Sequence, residues 1–279
     1  MKKLGLIAGG GGLPVSLANH CLTADRPLFV VRLKGFAAPE LAGFEGADIG
    51  IAQLGHCIRE LKKARCEAVC LAGTVARPDF SKLGPDWRGL AVLPQLLMAA
   101  RKGDAALLST LVAVFEKEGF WVEGAHQVMG DLTLPAGVLG AHAPTASQIE
   151  DIERALLVAR TVGRLDVGQG AVCCDGLVLA VEAQEGTDSM LRRVAELPQA
   201  IRGEPGRPRG VLAKASKPQQ ERRVDLPVIG LATLQLAARA GLAGIAGEAG
   251  RTLLLDRDKV LRMADDLGLF LYGASPEGE

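Results

Sequence analysis

Lys3-Leu-Gly-Leu-Ile-Ala8-Gly9-Gly-Gly-Gly-Leu-Pro14 is the stretch that decides the fold. Its first half is short and apolar, which is typical of a buried strand. Pro14 suits the first turn of a helix, and the residues after it continue that helix to Leu22. A strand, a glycine loop and a helix in this order present backbone N–H groups to an anion. We therefore expect an α/β domain with a phosphate or sugar beside the loop; a tight turn without a ligand is the alternative.

The glycine loop does not match the dinucleotide fingerprint GxGxxG. Counted from Gly9 or Gly10, the third glycine would fall on Pro14 or Val15. The next apolar run, residues 28–34, ends in basic residues, where an acidic partner for a ribose hydroxyl would be expected. These departures argue against a nicotinamide oxidoreductase.

Outward from this stretch, strands and helices alternate. Strands are expected near residues 48–51 and at 68–72, with a helix through residues 57–65 between them. A later helix at 105–115 has Asp104 as its natural N-cap. This alternation predicts parallel strands with right-handed crossovers, and ligands at the carboxyl ends of the strands. In this part of the chain those ends are the loops 9–14 and 73–78.

A second domain is expected after a Gly- and Pro-rich segment with little periodicity. The predicted boundaries are 1–132 for a Rossmann-like domain with a mostly parallel sheet, 133–146 for a linker, and 147–279 for a distinct α/β domain with a mixed sheet. Three local features support the second domain: a helix over 149–160 capped by Thr145 or Ser147, a hairpin turn at Asp175-Gly176, and a helix from about 189 capped by Thr187 or Asp188.

The composition excludes several classes of protein. The chain has 279 residues and a formal net charge of zero, so nothing points to nucleic acid as a partner. No apolar run reaches the length of about 18–20 residues that spans a bilayer, which predicts a cytoplasmic protein. The 6 cysteines lack zinc-site spacing and are expected to be reduced core residues. Because no histidine follows His142, a histidine-activated nucleophile in the second domain is not expected.

Two polar stretches of the second domain remain as candidates for chemistry. One supplies Glu182, Glu185, Thr187 and Asp188 between a strand and a helix. The other runs from Lys214 to Gly230 and is crowded with charge. Carboxylates with cations suit a divalent metal and a phosphoryl group held by lysine and arginine. A solvated surface loop explains the same charges equally well.

The chain also resembles the LpxI family of UDP-2,3-diacylglucosamine pyrophosphatases. The residues that carry the resemblance are Ile7–Pro14, Ala72–Pro78, Gly103-Asp104, Asp166–Gln169, Val178–Ala183, Glu185–Asp188, Met190-Leu191 and the pattern Lys214-xx-Lys217-Pro218-x-Gln220-xx-Arg223-x-Asp225-x-Pro227-xx-Gly230. The chain departs from the family pattern at Thr74, Glu221 and Val228, where Lys, Asp and Thr are common.

The resemblance implies hydrolysis of UDP-2,3-diacylglucosamine to UMP and 2,3-diacylglucosamine 1-phosphate (lipid X), a step of lipid A synthesis. It also implies a divalent metal, magnesium by default. Carried onto this sequence, the catalytic residues are Asp225 and Asp188, and the metal ligands are Asp225, Asp188 and Glu185. The implied substrate-binding residues are Gly11, Gly12, Leu13, Thr74, Gln169, Thr187, Lys214, Lys217 and Gln220.

Other expectations stay open at this point. The amphiphilic nucleotide-sugar lipid suggests peripheral contact with the cytoplasmic face of the inner membrane, and a homodimer is a possible assembly. A non-hydrolytic carrier of nucleotide sugar or lipid would use the same loops only to bind. Release of UMP, with and without a chelator, distinguishes the carrier from the hydrolase.

Overall fold

The computed structural model describes residues 1–75, 86–217, 221 and 223–276. Contacts divide the chain into two compact units. The first comprises Met1–Asp131 and Glu221–Asp225, and the second comprises Leu132–Gln220 and Leu226–Glu279. The linker at 133–146 remains a prediction; within that range, Gly137–Leu139 forms a strand of the second unit.

The first unit contains one five-stranded sheet. Its elements are β1 (Leu4–Ala8), α1 (Leu13–Thr23), β2 (Leu28–Leu33), β3 (Gly46–Ile49), α2 (Leu54–Lys63), β4 (Ala68–Ala72), α3 (Trp87–Lys102), α4 (Asp104–Lys117), β5 (Trp121–Val122) and α5 (Ala125–Val128), with a 3₁₀ turn at Pro39–Gly43. The strand order is β3-β2-β1-β4-β5, and every pairing is parallel. This confirms the predicted Rossmann-like architecture.

Burial explains why these residues form this sheet. All five residues of the central strand β1 are buried, because parallel sheets are covered on both faces. Ile7, Val31 and Val69 from three neighbouring strands share one apolar cluster with Phe115 of α4. The sheet therefore sits at the centre of its unit, and the loops at its carboxyl edge remain available.

In the first unit, one local prediction needs correction and one helix was not predicted. Helix α4 begins at Asp104 itself, and the N-cap position is Gly103, whose φ of 120° suits glycine. Helix α3 was not expected from the sequence. Its N-cap is Asp86, whose carboxylate accepts hydrogen bonds from the N–H groups of Gly89, Gly55 and His56, so that one side chain serves the starts of α2 and α3.

The second unit contains a mixed six-stranded sheet, as predicted. Its elements are β6 (Gly137–Leu139), α6 (Ala146–Arg164), β7 (Gly170–Cys174), β8 (Leu177–Val181), α7 (Gly186–Glu196), β9 (Val211–Lys214), β10 (Val228–Ile229), α8 (Leu231–Arg239), β11 (Gly244–Glu248), β12 (Leu253–Leu254), α9 (Arg257–Leu267) and β13 (Phe270–Ala274). The order is β6-β13-β11-β9-β7-β8. Strands β9, β11 and β13 are parallel, while β6, β7 and β8 pair antiparallel. Strands β10 and β12 form a separate parallel pair.

The sequence predicts N-cap residues for two helices of this unit, α6 and α7. Thr145 caps α6 in a capping box with Gln148, as expected for one of the two candidates. The prediction for α7 is wrong, because its N-cap is Glu185, while Thr187 and Asp188 lie in its first turn. The hydroxyl of Thr187 has a different partner, described below.

The remaining sequence expectations concern cysteines and membrane spans. All six cysteines are buried and free, in agreement with their predicted place in the core. Burial raises the pKa of Cys57 and of Cys70 to about 12. Among the described residues, no helix combines the length and the apolar character that crossing a bilayer requires.

Candidate active site

Lys214 ends strand β9 with its side chain buried, at only 4% exposure. Its Nζ donates to the Thr187 hydroxyl at 2.9 Å and to the Val228 carbonyl at 3.0 Å. The same hydroxyl donates to Oε2 of Glu182 at 3.0 Å. A buried ammonium is tolerable only when such partners replace water. Thr187 therefore links a buried cation to a buried carboxylate at the carboxyl end of β9.

Two glycines make room for Glu182. A Cβ at Gly170 would lie 2.5 Å from its Oε2, and one at Gly168 would lie 1.9 Å from its carbonyl oxygen. Any side chain at either position would push Glu182 away from Thr187. The Gly168-Gln169-Gly170 sequence is therefore a packing requirement of the Lys214 site.

Gln169, between these glycines, holds an unsatisfied acceptor. Its backbone carbonyl accepts from the N–H of Ala215 at 2.9 Å. Its side-chain Oε1 is buried and has no hydrogen-bond partner among the described residues. Because buried amide oxygens are almost always paired, this one is suited to a donor from water or from a ligand.

Lys217 occupies the loop after β9. Its Nζ lies 2.7 Å from Oδ1 of Asp166, and both side chains are mostly buried, at 12% and 19% exposure. Asp166 has a left-handed backbone, with φ of 55°, which aspartate tolerates better than most residues. Two lysines three residues apart are thus each held by side chains of other elements.

Glu248 is the last residue of β11 and lies at the same edge of the sheet as Lys214. The sequence did not predict it as a site residue. It is 3% exposed. Its Oε1 accepts from Nε of Arg160 at 2.8 Å, and its Oε2 accepts from the backbone N–H and the hydroxyl of Ser216 at 2.9 and 2.8 Å. Burial raises the pKa of this carboxyl, but the bonds from Ser216 and Arg160 outweigh burial and leave the pKa lowered. Glu248 is therefore ionised at neutral pH.

In the first unit, the glycine loop is tied to the end of β4. Gly10 and Thr74 form an antiparallel bridge, with N–H···O distances of 2.7 and 2.9 Å. Gly11 has φ of 86° and is exposed together with Gly12, directly before α1 begins at Leu13. The structure thus brings the predicted loop and Thr74 side by side, at the carboxyl edge of a parallel sheet.

The segment Glu221–Asp225 also belongs to the first unit. Arg223 pairs with both carboxylate oxygens of Glu221, at 2.8 and 2.9 Å, and with Glu116 at 2.7 Å. Val224 packs against the core of this unit, and a Cβ at Gly124 would lie 3.0 Å from the Cα of Arg223. The backbone N–H of Asp225 bonds to the Glu221 carbonyl at 3.2 Å, so Asp225 closes a turn whose shape Arg223 maintains.

The predicted metal ligands fit a magnesium site only in part. Glu185 is held by Arg193 at 2.6 Å, Asp188 is exposed in the same unit, and Asp225 lies in the first unit. Over the described ranges of the chain, no three His, Cys, Asp or Glu side chains cluster in a way that could hold a metal. Magnesium needs only one or two carboxylates when substrate phosphates complete its shell. Glu185 would have to leave Arg193 to take such a role.

Comparison with known proteins identifies the family. The model of the LpxI N-terminal domain matches residues 3–132, and that of the LpxI C-terminal domain matches residues 135–272. The chain belongs to the LpxI family. It is 62% identical over 277 residues to the "UDP-2,3-diacylglucosamine pyrophosphatase LpxI" of Caulobacter vibrioides, covering 99% of each chain.

The structure assembles part of the predicted LpxI site within each unit. Thr187, Lys214, Lys217 and Gln169 gather at one edge of the second sheet, and Gly11, Gly12, Leu13 and Thr74 gather in the first. Gln220 lies outside the described residues. The sequence did not predict the contacts of Glu248 with Ser216 and Arg160. The one sequence feature that indicated a polar contact here was the hydroxyl of Ser216, which lies between two lysines of the family pattern.

Proposed function

We propose that this chain hydrolyses the pyrophosphate bond of UDP-2,3-diacylglucosamine, giving UMP and 2,3-diacylglucosamine 1-phosphate. The observation that carries the proposal is the 62% identity, over 99% of both chains, to a protein named for that activity. The lysine-rich edge of the second sheet supports it, because a diphosphate needs cations that are held in fixed positions.

The proposed reaction is attack of water on the β phosphorus. A bond forms between the water oxygen and that phosphorus, and the bond to the bridging oxygen breaks, so that the bridging oxygen leaves with UMP. Lys214 and Lys217 balance negative charge on the diphosphate, and Thr187 and Gln169 orient polar groups of the substrate. Asp225 is the carboxylate that turnover requires, and Asp188 is the second catalytic candidate.

A divalent metal, magnesium by default, is part of this proposal. Asp225 and substrate phosphate oxygens would hold it, and when bound it would neutralise charge on the diphosphate. Asp188 is a second candidate ligand. Glu185 is the weakest, since binding there would require it to leave Arg193.

The first test measures UMP release from UDP-2,3-diacylglucosamine by the purified protein. We expect release that a chelator abolishes and added Mg²⁺ restores, and Asp225→Asn should fold normally but release almost no UMP. Hydrolysis in ¹⁸O-labelled water should place the label on 2,3-diacylglucosamine 1-phosphate. Label on UMP would refute attack on the β phosphorus, and release that is unaffected by chelator would refute the metal.

The same assay separates the hydrolase from a carrier. A carrier would bind the substrate and release no UMP under any metal condition. We also propose a cytoplasmic enzyme that meets its lipid substrate at the inner membrane. Co-sedimentation of the protein with phospholipid vesicles, with and without substrate, tests that part.

A further inference from the structure

Glu248 is a buried carboxylate for which the proposed reaction has no direct use. Three charge-assisted hydrogen bonds converge on it, two from Ser216 and one from Arg160. Replacing a buried ion pair by apolar residues is often neutral or stabilising. A contribution to stability alone is therefore a poor explanation for this cluster.

The place of Glu248 in the sheet suggests another explanation. The pairing of β9 with β11 ends at Lys214 and Gly247, so the ladder hydrogen bonds between these two strands do not extend to the residues after Lys214. The N–H of Ala215 turns to the Gln169 carbonyl on one side, and the N–H of Ser216 turns to the Glu248 carboxylate on the other. The backbone between Lys214 and Lys217 is thus anchored in both directions.

We propose that Glu248 is a positioning residue for the hydrolysis. By fixing Ser216, its carboxylate sets the directions from which Lys214 and Lys217 present their ammonium groups. The inference rests on the proposed function, in which these two lysines bind the diphosphate. Misplacing a group by about 1 Å can cost about a hundredfold in rate, so a loose backbone here would reduce turnover even if every lysine remained present.

The test compares two buried carboxylates of the second unit, Glu248 of β11 and Asp151 of α6. Glu248→Gln leaves one acceptor oxygen and places an NH₂ group against the donors of either Ser216 or Arg160, so the side chain can no longer hold both of them. The matched control is Asp151→Asn. Asp151 is 2% exposed and accepts from the N–H groups of Asp175 and Gly176, at 2.9 and 2.8 Å, in the hairpin at the opposite edge of the sheet.

We expect Glu248→Gln to lower kcat by at least about tenfold while KM changes by less than about threefold. Asp151→Asn should keep kcat within about twofold, whatever stability it loses. Ser216→Ala, which removes only the hydroxyl donor, should lower kcat less, and combining it with Glu248→Gln should give less than the product of the two effects. A native kcat in Glu248→Gln, or equal losses of kcat in both carboxylate variants, would overturn the inference.

A second measurement does not depend on turnover. The Nζ resonances of Lys214 and Lys217, observed by NMR in ¹³C,¹⁵N-lysine-labelled protein, should move in Glu248→Gln and stay in place in Asp151→Asn. If the wild-type protein releases no UMP, the proposed function fails, and the lysine resonances still decide whether Glu248 positions them. Unmoved resonances in Glu248→Gln would refute that role.

Discussion

Replacing Thr187 by valine should uncouple Lys214 from Glu182. The change keeps the shape of the side chain and removes one hydroxyl, which accepts from Lys214 at 2.9 Å and donates to Glu182 at 3.0 Å. Hydrogen bonds to charged groups contribute about 1.5–3 kcal/mol each. Lys214 keeps its bond to the Val228 carbonyl, so we take the lower value of that range for each of the two lost bonds. The free energy of unfolding should then fall by about 3 kcal/mol.

For a unit of this size, such a loss lowers Tm by about 6–12 °C. Urea unfolding, followed by circular dichroism, and UMP release measure stability and turnover on the same samples. Thr187→Ser is the matched control, because it retains the hydroxyl and should lose less than about 1 kcal/mol. If Thr187→Val unfolds within about 1 kcal/mol of wild type and keeps its turnover, the hydroxyl does not link the two charges in the way described.

Three further predictions follow from described contacts. Gly170→Ala should reduce both stability and UMP release, because its Cβ would lie 2.5 Å from Glu182, whereas Gly130→Ala, which meets nothing within 4 Å, should change neither. Because the pKa of Glu248 is lowered in the folded protein, its ionised form adds stability above the unfolded pKa of about 4.3, and this stability is lost as the pH falls through the lower folded pKa. The urea midpoint of Glu248→Gln should therefore depend less on pH in that acidic range than the midpoint of the wild type. The six buried thiols should react with a thiol reagent only after unfolding; rapid labelling of the native protein would contradict their burial.

Much of the fold could be predicted from local pattern. The apolar run before the glycine loop and the run at 68–72 are the strands β1 and β4, and Asp175-Gly176 makes the predicted hairpin turn. These features depend on residues that are close in the sequence. Alternation of strands and helices then supplies the parallel order, because right-handed crossovers leave few arrangements.

The contacts that shape the site could not be predicted in that way. Glu248 reaches Ser216 across 32 residues, and Thr187 bonds to Lys214 across 27. In the sequence, Thr187 has the spacing of a helix cap, and only the position of β9 shows that its hydroxyl serves a lysine instead. Glu185 likewise pairs with Arg193 across 8 residues, and only the first turns of α7 bring these two side chains together.

The assignment of Glu221–Asp225 to the first unit has a consequence for dissecting the protein. The two LpxI domain models meet between residues 132 and 135, which is where one would cut the gene to make two polypeptides. An N-terminal fragment made that way would lack Val224 from its core and the ion pair of Arg223 with Glu116. The C-terminal fragment would carry Asp225 away from the unit that shapes its turn. A destabilised N-terminal fragment is therefore the expected product of that cut, and appending residues 221–225 through a flexible linker should restore part of its stability.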